Sequence, residues 1–76
     1  MTAEQIIEKI SQPLSEKYQY TCKVRDGRVI VTNHKGQEAG TVWHDGSAIQ
    51  IERKYSGAQS LMGVPVAKLI RATLEQ

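Results

Sequence analysis

Residues 20–31 read Tyr20-Thr21-Cys22-Lys23-Val24-Arg25-Asp26-Gly27-Arg28-Val29-Ile30-Val31, two alternating stretches joined by Asp-Gly. A two-residue type I′ turn needs positive φ at both central positions, which Asp-Gly tolerates better than almost any other pair. With that turn in place Arg25 faces Arg28, Val24 faces Val29 and Cys22 faces Val31. The apolar residues of both strands then fall on one side, so turn chemistry and side-chain alternation specify the same register.

Working outward, the residues on either side extend the same sheet. No leucine lies between Leu14 and Leu61, whereas that interval holds Val24, Val29, Ile30, Val31, Val42, Ile49 and Ile51; β-branched side chains suit a pleated surface better than a helix. Alternation is read from Tyr18, with a second turn at Asn33-His34-Lys35-Gly36 and a third strand over Gln37 to Trp43. Asp45-Gly46 repeats the hairpin signal, pairing His44 with Ser47, Val42 with Ile49 and Gly40 with Ile51, and the fourth strand runs from Ala48 to Arg53.

Both ends read as helices. Thr2 and Gln5 have the spacing of a capping box, and Ile6, Ile7, Ile10 and Leu14 recur at three- and four-residue intervals. Pro13 lacks an N–H and its ring crowds the preceding turn, so this helix is expected to end between Ser11 and Lys17. At the other end Pro65 suits a first helical turn, and Val66, Leu69, Ile70, Thr73 and Leu74 make an apolar stripe to about Glu75, after a connection of six to ten residues from Glu52 onward. The expected fold is α+β: a helix, a four-stranded antiparallel meander and a second helix. Both helices lie on one sheet face, because each must bury one stripe and the sheet is the only large partner.

Seventy-six residues, 39% hydrophobic and 24% charged, fit a single compact domain spanning 1–76. The longest purely apolar run, Val29 to Val31, is far below the roughly 18–20 residues that cross a bilayer. Thr2, Ala3 and Glu4 do not start a basic stretch leading into an apolar one, so a cytoplasmic protein is expected. A lone Cys22 can make neither an internal disulfide nor a paired-cysteine zinc site. The net charge of +2 is too balanced for a dedicated nucleic-acid binder, although residues 21–35 carry a local +3 from Lys23, Arg25, Arg28 and Lys35 against Asp26.

The order helix, strands, helix is similar to that of the double-stranded RNA-binding domain. That family places a lysine cluster at the start of its last helix, where this chain has the uncharged Ser60-Leu61-Met62-Gly63-Val64-Pro65. A fourth strand is a further departure, and the likeness stops at topology.

Alternation from the two Asp-Gly turns assigns the sheet face away from the helices: Thr21, Lys23, Arg25, Arg28, Ile30, Thr32, Ala39, Thr41, Trp43, Ala48 and Gln50. The single tryptophan and Ile30 thus form an exposed apolar pair among cations, unless a bulge at Gly40 or in the Asn33 turn rotates Trp43 into the core. Tryptophan and arginine are favoured at interface centres, so the leading expectation is a non-catalytic module that binds a protein partner or its own copy through Trp43, Ile30, Lys23, Arg25 and Arg28. The alternative is nucleic-acid binding by the basic hairpin at 21–35, with Trp43 stacking on a base.

Catalysis finds no constellation to carry it. Cys22 is expected to point into the core beside Val31, and His34 and His44 to be solvated turn residues. Glu4 and Glu8 lie outside the first helix, Glu38, Asp45 and Glu52 are scattered over the sheet, and the glycines lack phosphate-loop spacing. Neither enzyme, cofactor, metal nor small-molecule substrate is expected.

Overall fold

The structure is a computed structural model and describes residues 1–54 and 62–75. It comprises α1 (Ala3–Tyr18), β1 (Thr21–Arg25), β2 (Arg28–Thr32), β3 (Glu38–Asp45), β4 (Ala48–Arg53) and α2 (Val64–Leu74). The strands form one antiparallel meander in the order β1-β2-β3-β4. Helix α1 packs on β1, β2 and β3, and α2 packs on α1 and β4, which makes the fold α+β with the helices on one face.

The capping box forms in both directions: Gln5 N–H donates to Thr2 Oγ1 at 3.2 Å and Thr2 N–H donates to Gln5 Oε1 at 2.8 Å. The helix then runs through Pro13 rather than ending before Tyr18. Proline deprives the Lys9 carbonyl of its helical donor, but Ile10 and Leu14 on either side of it are fully buried, and that burial holds the turn. Gln19 ends the helix in the left-handed region at φ 62. Its N–H donates to Ser15 O, and that of Tyr20 to Leu14 O. Tyr18 is therefore helical, and alternation begins at Thr21.

The first hairpin follows the sequence reading pair for pair, with Asp26 at φ 55 and Gly27 at φ 75. The second hairpin does not. Asp45 faces Ala48, Val42 faces Ile51 and Gly40 faces Arg53, so the loop is Gly46-Ser47, with Gly46 at φ 61 taking the position where a two-residue turn first needs positive φ. This displaces the expected register by two residues. An even displacement leaves every side chain on its expected face.

The sheet contains one irregularity. Val31 faces Gly40 but Thr32 faces Glu38, leaving Ala39 as the extra residue of a bulge. Ala39 is consequently fully buried on the helix side, which corrects its expected place on the open face. Because the bulge lies before Gly40, it does not alter the face of Trp43. Asn33 organises the preceding turn from a buried position: its Oδ1 accepts from the N–H groups of Lys35 and Gln37, and its Nδ2 donates to Gln37 Oε1.

The core joins Ile6, Ile10 and Leu14 of α1 with Val29, Val31 and Val42 of the sheet and Val66 and Ile70 of α2. Val24, expected among them, is 42% exposed, since it stands next to the hairpin tip on an edge strand. Met62, fully buried, seats against Gly40 at the entry to α2.

Candidate functional site

No described helix lies over the second sheet face. The hairpin registers put Lys23 and Arg25 of β1, Arg28 and Ile30 of β2, Thr41 and Trp43 of β3 and Gln50 and Glu52 of β4 on it. The sequence-predicted residues are thus brought onto one surface, but not as free groups.

Trp43 is half-buried, with the Arg28 guanidinium over its ring at 4.0 Å from the centroid. Arg28 and Trp43 belong to neighbouring strands and lie side by side on the sheet, so the stacking costs little chain ordering while shielding one face of the indole. Arg25 reaches from β1 across β2 to Glu38 on β3, making two hydrogen bonds at 2.6 and 3.1 Å. Lys54 approaches the same carboxylate at 3.8 Å. The hydrogen bonds from Arg25 hold the Glu38 carboxyl below its ordinary range, with the charges of Arg25, Lys54 and Lys23 adding to the effect. Glu38 in turn holds the Arg25 guanidinium above its ordinary value.

This bridge corrects the expectation for Ile30. The side chain is on the open face but only 3% exposed: Arg25 passes over β2 to reach Glu38, and Arg25, Arg28, Ile30 and Thr41 line one depression of about 370 Å³. An exposed Trp43–Ile30 pair does not exist; Trp43 and the guanidinium of Arg28 form the accessible centre. A second depression of about 250 Å³ lies between Arg25, Glu38, Thr41, Glu52 and Lys54. Glu38, Asp45 and Glu52 of the later strands bring negative charge towards Lys23, Arg25, Arg28 and Lys54, so the local excess of positive charge in residues 21–35 is reduced.

Burial pushes the Cys22 thiol up from 9.0 to about 11, a hydrogen bond with Ser11 pulling weakly the other way. That is the reverse of what a nucleophilic thiol needs. His34 lies exposed in the Asn33 turn, but His44 is half-buried within β3 opposite Ile49, correcting its place in a solvated turn. Among the described residues no group of three His, Cys, Asp or Glu side chains is arranged to hold a metal ion, and no helix is long and apolar enough to cross a membrane.

Glu38 and Lys54 belong to the candidate face, and sequence reasoning missed them. The bulge at Ala39 is what turns Glu38 outward; the neighbouring Gly40 signals a bulge without saying which side chains it turns. Compared with family models, with curated proteins and with solved structures, the chain matches none.

Proposed function

We propose that this chain is a small non-catalytic module that binds a protein partner, or a second copy of itself, through the open sheet face centred on Trp43 and Arg28. The observation that carries this reading is the guanidinium stacked on a half-buried tryptophan, on a face with no described element above it. Arg and Trp together desolvate well and dominate the energy of many interfaces. The surrounding charges are of both signs, which suits a mixed protein surface better than a polyanion. Arg28 occupies one face of the indole and Glu38 neutralises Arg25, and both arrangements weaken the competing reading, nucleic-acid binding by Lys23, Arg25, Arg28 and Lys35 with Trp43 stacking. A single cysteine with no second one in the chain to pair with accords with a cytoplasmic setting.

Trp43 is the only tryptophan, so its emission reports directly on the face. In the monomer the expected emission is intermediate and partly quenched by acrylamide, because Trp43 is half-buried and Arg28 covers one face of its ring. Light scattering of wild type and Trp43→Ala over a wide concentration range separates the two partner types: association lost in the variant identifies self-binding, and a monomer throughout leaves a heterologous protein. A blue, protected emission in a monomer would remove the reading. Titration with single- and double-stranded oligonucleotides at low salt tests the competitor, which requires binding that weakens steeply as salt is added.

A further inference from the structure

A cluster of three cations lies away from the open face. Arg53 of β4 and Lys68 and Arg71 of α2 rim a groove of about 280 Å³ whose apolar lining is Ile51, Val64 and Ala67. Arg53 and Lys68 form no ion pair among the described residues, and Arg71 meets only Glu75, at 3.7 Å. The first turn of α2 contains no acidic residue and Gly63 offers no side-chain cap, so the positive end of the helix adds to the same field.

One wall of the groove is an edge strand. With Asp45 and Ala48 closing the hairpin, Ala48, Gln50 and Glu52 direct their backbone groups to β3, and Ile49, Ile51 and Arg53 direct theirs outward. Arg71 confirms this orientation, since its Nη1 donates to the Ile49 carbonyl at 3.2 Å. No hydrogen bond from another described residue reaches the outward groups of Ile51 or Arg53.

We propose that this groove is a second binding site, which takes an extended acidic peptide pairing with the outer edge of β4 at Ile51 and Arg53, its carboxylates set against Arg53, Lys68 and Arg71. The backbone edge favours an extended chain over a compact ligand, because an added strand completes the ladder while alternate side chains turn towards the helix. The three cations select carboxylates, and the apolar lining accommodates the aliphatic parts of the chain. This site is separate from the Trp43 face and independent of the function proposed for it.

The test is fluorescence anisotropy of the full chain with a fluorescein-labelled peptide of alternating Glu and Val, alongside the same peptide with Gln for Glu. Expected results are saturable binding of the Glu peptide, loss of about tenfold in affinity for Lys68→Glu or Arg53→Glu, and no change for Trp43→Ala. Slowed hydrogen exchange at the Ile51 and Arg53 amides on adding the peptide is expected as well. Lys68 is exposed, and circular dichroism of the variants checks that the fold persists. The proposal is overturned by no saturable binding at peptide concentrations up to about 1 mM, by equal binding of the Gln peptide, by charge reversal without effect, or by a single-stranded oligonucleotide occupying the groove more tightly than the peptide.

Discussion

Replacing Gly40 by alanine tests the packing between β3, β4 and the entry to α2. A Cβ at this position would stand 2.6 Å from the Glu52 carbonyl oxygen and 2.8 Å from Met62 Cε. Ordinary contact begins at 3.4 Å, so the methyl is about 0.8 Å too close to a backbone atom. The Met62 end can swing aside at some cost, but the Glu52 carbonyl belongs to a peptide held in the β3–β4 ladder between two paired positions. Forcing extra carbon into such a place costs about 1–3 kcal/mol, and a rigid obstacle puts this site in the upper part of that range.

An opposing effect has to be subtracted. Gly40 does not have positive φ, so alanine is conformationally allowed and would stabilise by about 0.4–1 kcal/mol through the unfolded chain alone. The two effects have opposite signs, and the steric one is the larger. The expected net loss is about 2 kcal/mol, a fall in Tm of roughly 8–16 °C for a domain of this size. It is a large share of a total stability of about 4–11 kcal/mol. Thermal and urea unfolding followed by circular dichroism measure the change. An unchanged or raised Tm refutes the reasoning. So does full recovery in Gly40→Ala combined with Met62→Leu, because removal of Cε would then have been sufficient and the Glu52 carbonyl would not be the obstacle.

The remaining predictions concern single side chains. Asn33→Ala removes a buried acceptor for two backbone N–H groups of an otherwise exposed turn and should lower stability by about 1–3 kcal/mol for the two hydrogen bonds, whereas Asn33→Asp keeps the acceptor and should lose less; equal losses would refute the assignment. For Cys22, unfolding frees a thiol that ionises near 9.0 whereas the folded thiol ionises near 11. Its stabilising contribution is complete below pH 9 and disappears as pH rises towards 11, by about 1–2 kcal/mol once its partial contact with solvent is allowed for. Cys22→Ser should flatten that alkaline decline, and disulfide reagents at pH 8 should label the native thiol far more slowly than the unfolded one. Glu38 has the opposite sign: its folded carboxyl ionises below the ordinary 4.5, so its contribution is present above that pH and lost as pH falls through the folded value. Glu38→Gln should reduce the acid sensitivity of the fold and raise the exposure of Ile30, read as side-chain chemical shifts; an acid limb identical to wild type counts against the bridge.

The first hairpin was legible because two independent demands coincide there: Asp26-Gly27 must adopt positive φ, and the register that this turn sets is one of those that send Cys22, Val24, Val29 and Val31 to the same side. At the second hairpin the local signal was ambiguous by one position, because Asp45-Gly46 and Gly46-Ser47 both suit a tight turn. The faces survived the error since alternation has a period of two. The end of α1 was less readable: Gln19 takes a conformation that glycine would have advertised, and Pro13 is tolerated through the burial of Ile10 and Leu14 against elements far along the chain.

The candidate site divides in the same way. Composition and alternation alone determined that the chain has a sheet with one face left over and that Trp43, Arg25 and Arg28 lie on it, since a strand's pattern is local and the number of helices available for cover is read by counting. Tertiary structure decided what those residues are free to do. The bulge at Ala39 turns Glu38 outward, Glu38 captures Arg25, and Arg25 covers Ile30, a chain of consequences linking three strands that no local pattern records. The groove of Arg53, Lys68 and Arg71 exists only because α2 returns to pack beside β4. Secondary structure follows from neighbours a few residues apart, whereas charge pairing and concavity depend on which distant residues the packing brings within a few ångströms.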